Sequence, residues 1–200
     1  MYVIGIGKTK FGILNESIAQ LAYKAMYNAI LDSPILINDI GIIFVSNFLG
    51  SHHQKQLHLN SIISSMLPEL RIPIIGIETA CASGASAFYQ GLMALSRFEN
   101  VLVVGVEKMT GNPKMKSIEN LAMAGDRKLD QEQGMIFPAN YALVAQQHMI
   151  RHGTTHEDLS LVSFKNHKNA NLNPLAHYNY KHVTMEMINN SCMISSPLNL

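Results

Sequence analysis

The stretch PIIGIETACASGAS, residues 73–86, is the clearest indication of fold class in this chain of 200 residues. Its first half is apolar and rich in isoleucine, and its second half is a run of small residues, so the sequence predicts a strand that passes directly into a helix. Cys81 falls at or near the first turn of that helix. Unpaired N–H groups and the positive end of the helix dipole stabilise a thiolate there, and a thiolate is the nucleophile in acyl transfer through a thioester. The local sequence is equally compatible with a buried cysteine that serves only as a small apolar side chain.

Strand and helix patterns alternate on both sides of this stretch. Ser17 and Gln20 supply a capping box for the first predicted helix. Hydrophobic periodicity predicts, in chain order, strand 2–6, helix 18–30, strand 41–45, helix 53–66, strand 73–79, helix 83–98 and strand 101–106. Such alternation, with continuously apolar strands, is typical of an α/β protein whose parallel or mixed sheet is covered by helices on both faces.

The chain changes character after Val106. Residues 108–137 show no sustained periodicity, and an irregular segment inside a compact protein is usually functional or poorly ordered. Two helices are predicted next, over about 139–152 and about 157–169, with Gly153 ending the first and Thr154 or Thr155 capping the second. The sequence also predicts a short helix near Met185.

The composition excludes several classes of protein. Fifteen basic and 14 acidic residues give a net charge of +1, so the chain has no electrostatic preference for nucleic acid or an anionic membrane. No apolar run reaches the roughly 18 residues of a membrane helix, and the first residues lack the pattern of a signal peptide. We therefore expect a cytoplasmic protein without membrane or nucleic-acid partners. Only 14% of the residues are charged, against about 25% in an ordinary soluble domain, and this shortage calls for an explanation.

Three further motifs carry less weight. The spacing of Gly5 and Gly7 fits neither a phosphate-binding loop nor a dinucleotide fingerprint, and a strand that ends on glycine accounts for it. His148 and His152 lie one helical turn apart, as zinc ligands can, but the glutamate of a metalloprotease helix is missing, so we predict no metal site. Cys192 stands in a polar context without an activating neighbour, and we interpret it as incidental.

The segments ETACASG, residues 78–84, and VVGVEKMT, residues 103–110, closely resemble the N-terminal half of thiolases. The similarity is to the sterol-carrier-protein-x type and its archaeal and bacterial acetyl-CoA acetyltransferase relatives. Further agreement follows in order along essentially the whole chain, at residues 5–12, 142–148, 153–155, 165–167 and 172–174. Ordered agreement is more specific than any single motif, and it favours Cys81 as a catalytic nucleophile.

The resemblance implies a thiolase-like α/β fold with a mixed sheet covered by helices. A βαβαβαββ-type core domain would occupy residues 1–109, and residues 110–200 would form the loop domain and the truncated end of the N-terminal half. Cys81 would take the acyl group from a 3-ketoacyl-CoA or from acetyl-CoA. Coenzyme A thioester would be the substrate, with no bound cofactor, no metal and no residue yet assigned to CoA contacts. The resemblance also implies a homo-oligomer with the strand at 74–77 at the dimer interface.

Thiolases are about twice this length, and their second half carries the activating histidine, further catalytic motifs and a second cysteine. None of the nine histidines here stands in such a context, so we expect the second half to be absent and turnover to require a C-terminal-half chain or a longer parent protein. The low charge would then reflect surface that a second domain and a dimer mate cover. Two alternatives stay open: a non-catalytic truncated relic or dimerisation subunit, and, less favoured, a relative of ketoacyl synthase or hydroxymethylglutaryl-CoA synthase.

Overall fold

A computed structural model describes residues 1–110 and 117–200. In chain order its helices and strands are α1 (Ile18–Leu31), β1 (Ile42–Ser46), α2 (Gly50–His53), α3 (Leu59–Ser65), β2 (Ile74–Ile77), α4 (Ser83–Ala94), β3 (Val101–Gly105), α5 (Ser117–Ala122), α6 (Phe137–His152), α7 (His156–Asn171), α8 (Met185–Asn189), β4 (Met193–Ser195) and β5 (Leu198–Asn199). Short 3-10 turns lie at Ile37–Asp39 and Ala80–Ala82, and a π-helical turn lies at Arg127–Gln131.

The chain divides into two compact units, each described here by itself. The first comprises Met1–Thr9 and Ile13–Met115, and the second comprises Lys10–Gly12 and Lys116–Leu200. No helix in the described part of the chain is both long and apolar enough to span a membrane.

The first unit is built on a parallel sheet of three strands in the order β2-β1-β3. The central strand β1 is buried along its whole length, and its alternate side chains point to opposite faces. Ile43 and Val45 pack with residues of α1 and α3, whereas Ile42 and Phe44 pack with Ala87 of α4. Helices therefore cover both faces, which confirms the predicted α/β fold class.

Most element boundaries lie within a few residues of those predicted. The capping box at Ser17 is present, because its hydroxyl accepts from the Gln20 N–H and its own N–H donates to the Gln20 side chain. Thr155 caps α7 in the same manner with Asp158. Gly153 ends α6 at a φ of 70°, a conformation that glycine adopts without steric cost.

The strand predicted over residues 2–6 is wrong, because this segment pairs with no strand among the described residues. Side chains of α1 and the turn after it hold the segment instead. The Ile6 N–H donates to the Asp32 carboxylate at 2.9 Å, and the Lys8 carbonyl accepts from the Asn28 amide at 3.1 Å. An apolar run predicts an extended backbone, but it does not reveal whether a neighbouring strand is available to pair with it.

The second unit consists mainly of α5 to α8 and an antiparallel pair, β4 with β5. The predicted irregular segment 108–137 contains α5 and the π-helical turn at Arg127–Gln131, both of which are too short to show sustained periodicity. The part of it at 111–116 lies outside the described residues. Of the apolar side chains in this unit that the structure describes, Ala142 belongs to the buried core.

Candidate functional site

Cys81 lies at the carboxyl end of the parallel sheet, in the turn that joins β2 to α4. The strand β2 ends at Ile77, and Cys81 occupies the middle of the 3-10 turn that leads into α4 at Ser83. Open α/β sheets bind their ligands at this edge, outside the carboxyl ends of the strands. The thiol is exposed, in contrast to a cysteine that fills space in the core. The sequence therefore located the residue correctly at the start of a helix.

The residue before Cys81 has an unusual backbone conformation. Ala80 has a φ of 49°, in the left-handed region that L-residues with a β-carbon disfavour. Side chains contact both of its polar backbone groups: the Glu78 carboxylate accepts from the Ala80 N–H, and the Ser83 hydroxyl donates to the Ala80 carbonyl at 2.6 Å. The same Ser83 hydroxyl accepts from the Thr79 N–H at 2.9 Å. The turn that carries the thiol is thus held by hydrogen bonds from within its own sequence.

The three strands of the sheet end side by side, and the Asn47 side chain links two of the segments that follow them. Ser46 of β1 pairs with Ile77 of β2 on one side and Gly105 of β3 on the other, so the three strands end at the same level. Beyond β1, the Asn47 amide donates to the Val106 carbonyl at 2.6 Å. Strand pairing and this hydrogen bond fix the positions of the strand ends at the carboxyl edge of the sheet.

Glu107 and Lys108 tie this edge to other parts of the first unit. The Glu107 carboxylate accepts from the N–H groups of Phe48 and Leu49 at 2.9 and 3.0 Å. The Lys108 ammonium donates to carbonyls of the segment before α1, including that of Leu14 at 2.7 Å. From the sequence, Glu107 and Lys108 were known only as part of the thiolase-like segment 103–110, and their contacts were not predicted. A signal was present, since polar residues that directly follow an apolar strand are placed at the sheet edge.

His53 lies close to the same edge, at the end of α2, with 6% of its surface exposed. Burial lowers the pKa of its imidazole, the Glu107 carboxylate acts in the opposite direction, and the neighbouring His52 adds to the lowering. His53 is therefore a buried histidine whose neutral form is favoured in the folded chain.

The other sequence candidates lie in the second unit. His148 and His152 have ring centroids 4.6 Å apart, and His148 Nδ1 lies 2.8 Å from the Thr154 hydroxyl. Within the described ranges, no group of three or more His, Cys, Asp or Glu side chains is arranged to hold a metal ion. Cys192 is exposed, and its sulfur lies 3.6 Å from the Met193 carbonyl.

A groove of about 440 Å³ runs along the open edge of β3 in the first unit. Its walls are the extended segment at residues 1–7, the inner face of α1 and one side of α4, including Gly84 and Phe88. Cys81 is not among its lining residues. The groove thus reaches α4 at Gly84, three residues after Cys81, without including Cys81 itself.

A parallel sheet covered by helices on both faces, with an exposed cysteine between β2 and α4, defines a protein of the α/β class. The model of the family "Thiolase, N-terminal domain" matches residues 1–191. The chain belongs to the thiolase family, as the resemblance in sequence predicted.

Two curated relatives are acetyl-CoA acetyltransferases from archaea. The chain is 38% identical over 201 residues to that of Methanothermobacter thermautotrophicus, covering 99% of the chain and 52% of the relative. It is 36% identical to that of Methanocaldococcus jannaschii, covering 99% and 50%. The chain thus spans about half the length of these relatives.

The structure comparison agrees on the fold. The chain superposes on the Ltp2-ChsH2(DUF35) aldolase with a TM-score of 0.75 at 22% identity, covering 98% of this chain and 50% of the other. At this level of identity the similarity establishes the fold alone.

Proposed function

We propose that this chain is the N-terminal half of a thiolase-type acyltransferase in which Cys81 is the nucleophile. The observation that carries the proposal is the exposed thiol at the carboxyl edge of the sheet, directly before the 12-residue helix α4, in a chain of the thiolase family. Curated relatives with this N-terminal half are acetyl-CoA acetyltransferases, which supports an acyl-CoA thioester as the substrate.

The chemistry asked of Cys81 differs between the two directions of reaction. In condensation, the Cys81 Sγ attacks the carbonyl carbon of acetyl-CoA, the thioester C–S bond breaks, and the CoA thiolate leaves and takes up a proton. In thiolysis, Sγ attacks the C3 carbonyl of a 3-ketoacyl-CoA, the C2–C3 bond breaks, and the acetyl-CoA enolate takes up a proton at C2. Both directions give an acyl group on Sγ.

Complete turnover needs groups beyond this thiol. A base, an oxyanion hole and a proton donor must surround the acyl group, and Cys81 with the start of α4 supplies only part of that set. Since the relatives are about twice as long, we propose that a C-terminal half, on a partner chain or a longer parent protein, supplies the rest.

We propose a different role for each of the two units. We propose that the first unit is the core domain and that the second is the loop domain which helps to hold the acyl-CoA. We also propose a homo-oligomer that uses the edge strand β2, where Ile75 is 43% exposed. Pairing of edge strands would cover backbone groups that β2 leaves open.

The test is acylation of the chain by acetyl-CoA or acetoacetyl-CoA, with and without a C-terminal half of an archaeal relative, followed by intact mass. We expect an acyl adduct on the wild-type chain and on Cys192→Ala, the matched control with the other exposed thiol removed. Cys81→Ala should carry no adduct. If the wild-type chain takes no acyl group under either condition, the catalytic proposal fails and the non-catalytic subunit is the better interpretation.

A further inference from the structure

The direction of the Cys81 side chain depends on the backbone of the residue before it. Ala80 has a φ of 49°, and a turn to the ordinary negative φ would rotate the following peptide and move the Cys81 sulfur. An alanine prefers the negative region, because its β-carbon clashes with the backbone in the left-handed one. Something other than Ala80 must therefore hold this conformation.

Ser83 has the contacts to do so. Its single hydroxyl proton goes to the Ala80 carbonyl at 2.6 Å, while its oxygen accepts from the Thr79 N–H at 2.9 Å. The Ser83 backbone N–H donates to the same carbonyl, so the bond that only the side chain provides is the one that links the Thr79 N–H to the turn. These bonds hold one backbone group on each side of the Ala80 φ torsion, and Ser83 is only 6% exposed, so water competes weakly for them. The Glu78 carboxylate accepts from the Ala80 N–H as well.

The contacts of Ser83 are not those of an ordinary helix cap. A capping serine or threonine accepts from an N–H two or three residues further along, as Ser17 does from Gln20 and Thr155 does from Asp158. Ser83 instead accepts from an N–H four residues earlier. Its hydroxyl serves the turn that precedes the helix, and that turn contains Cys81.

We propose that Ser83 is a positioning residue for Cys81: it holds Ala80 at positive φ and so sets the direction from which the thiol meets an acyl carbonyl. The inference rests on the proposed function for its consequence in acyl transfer. The conformational part, that Ser83 keeps Ala80 at positive φ, stands independently of it.

The variants are Ser83→Ala, Ser83→Thr and Ser86→Ala, all in a Cys192→Ser background so that one thiol reacts. Ser86 is the matched control, because its hydroxyl bonds the Thr79 side chain at 2.8 Å and does not contact Ala80. The readouts are the backbone coupling constant and chemical shifts of Ala80 by NMR, the rate of Cys81 alkylation by iodoacetamide, and the rate of acylation by acetyl-CoA.

We expect Ser83→Ala to return Ala80 to negative φ and to slow acylation by about 10-fold or more, since small displacements of a reacting group have effects of this size. Alkylation should change less, because iodoacetamide is small and approaches from many directions. This difference between the two reagents is one that a loss of fold would not produce. Ser83→Thr, which keeps the hydroxyl, should restore both the coupling constant and the acylation rate.

Ala80→Gly provides a second route if Ser83→Ala folds poorly. Glycine populates positive and negative φ about equally, so residue 80 then depends less on the hydrogen bonds of Ser83. Adding Ser83→Ala to Ala80→Gly should therefore slow acylation only about two-fold. The inference is overturned if Ser83→Ala leaves Ala80 at positive φ, or if its acylation rate equals that of Ser86→Ala. If the wild-type chain is not acylated at all, the proposed function fails, while the NMR measurement still decides whether Ser83 holds Ala80.

Discussion

The two units of this chain differ in how they use their apolar side chains. Among the residues that the structure describes, every buried apolar side chain except Ala142 and Pro197 lies in the first unit, and most of them pack on the two faces of its sheet. In the second unit, α6 and α7 leave apolar side chains exposed, including Leu143, Val144 and Leu161. Both units expose large apolar side chains, so the difference between them is that the first unit also has an extended buried core and the second has very little.

The largest expected effect comes from the core of the first unit. Ile43 in β1 is fully buried, so Ile43→Ala should lower the free energy of unfolding by about 2–5 kcal/mol through lost apolar burial and a cavity. Val144→Ala in α6 is the matched change in the second unit and should stay within about 0.5 kcal/mol, because Val144 is 66% exposed. Urea unfolding measures both values. Equal losses at the two positions would contradict the contrast between the units.

The parts of the fold that could be predicted from the sequence are those with local signals. The strands β1, β2 and β3 follow from short apolar runs rich in β-branched residues. The caps at Ser17, at Gly153 and at Thr154 or Thr155 follow from side-chain and glycine chemistry, and the structure uses Thr155. These signals are local, and the structure confirms them. Pairing is not local, so the strand predicted over residues 2–6 was wrong.

The surroundings of Cys81 show a second limit. Its place before a small-residue helix could be predicted, because both the strand and the helix have periodic signals. The positive φ of Ala80 could not be predicted, because alanine does not favour positive φ. Glycine is the residue expected at such a position. Likewise, nothing in the sequence pairs Glu107 with the N–H groups of Phe48 and Leu49 more than 50 residues away.

A smaller effect on stability is expected at His53 of the first unit when the pH is lowered. Burial lowers the pKa of His53 below its ordinary value of about 6.5, so as the pH falls the unfolded chain takes up the proton before the folded chain does. The stability that neutral His53 contributes is present at higher pH and is lost as the pH falls from about 6.5 towards the pKa of the folded chain. Between about pH 7.5 and pH 5.5, we expect the Tm of the wild-type chain to fall more than that of His53→Gln, because only the wild-type chain loses this contribution.

The control for this measurement is His182→Gln, which removes an exposed histidine of the second unit. It should lose as much Tm over the same pH range as the wild-type chain. A His53→Gln chain with the full acid loss would show that burial of this imidazole does not govern the pH dependence of the first unit.

The smallest effect is expected at the start of α7 in the second unit. Hydrogen bonds from the backbone N–H and then the hydroxyl of Thr155 lower the pKa of Asp158, so the charged carboxylate favours the folded chain. This contribution is present above the ordinary value of an aspartate, about 3.9, and is lost as the pH falls through the lowered pKa of the folded chain. From about pH 5 to pH 3, the wild-type Tm should fall slightly more than that of Asp158→Asn, because an exposed carboxylate contributes little to stability. Thr155→Ser, which keeps the hydroxyl, should retain the wild-type pH dependence, and Thr155→Ala should show less of it. An Asp158→Asn chain that loses as much Tm as the wild-type chain from pH 5 to pH 3 would show that this carboxylate does not contribute to the acid sensitivity of the chain.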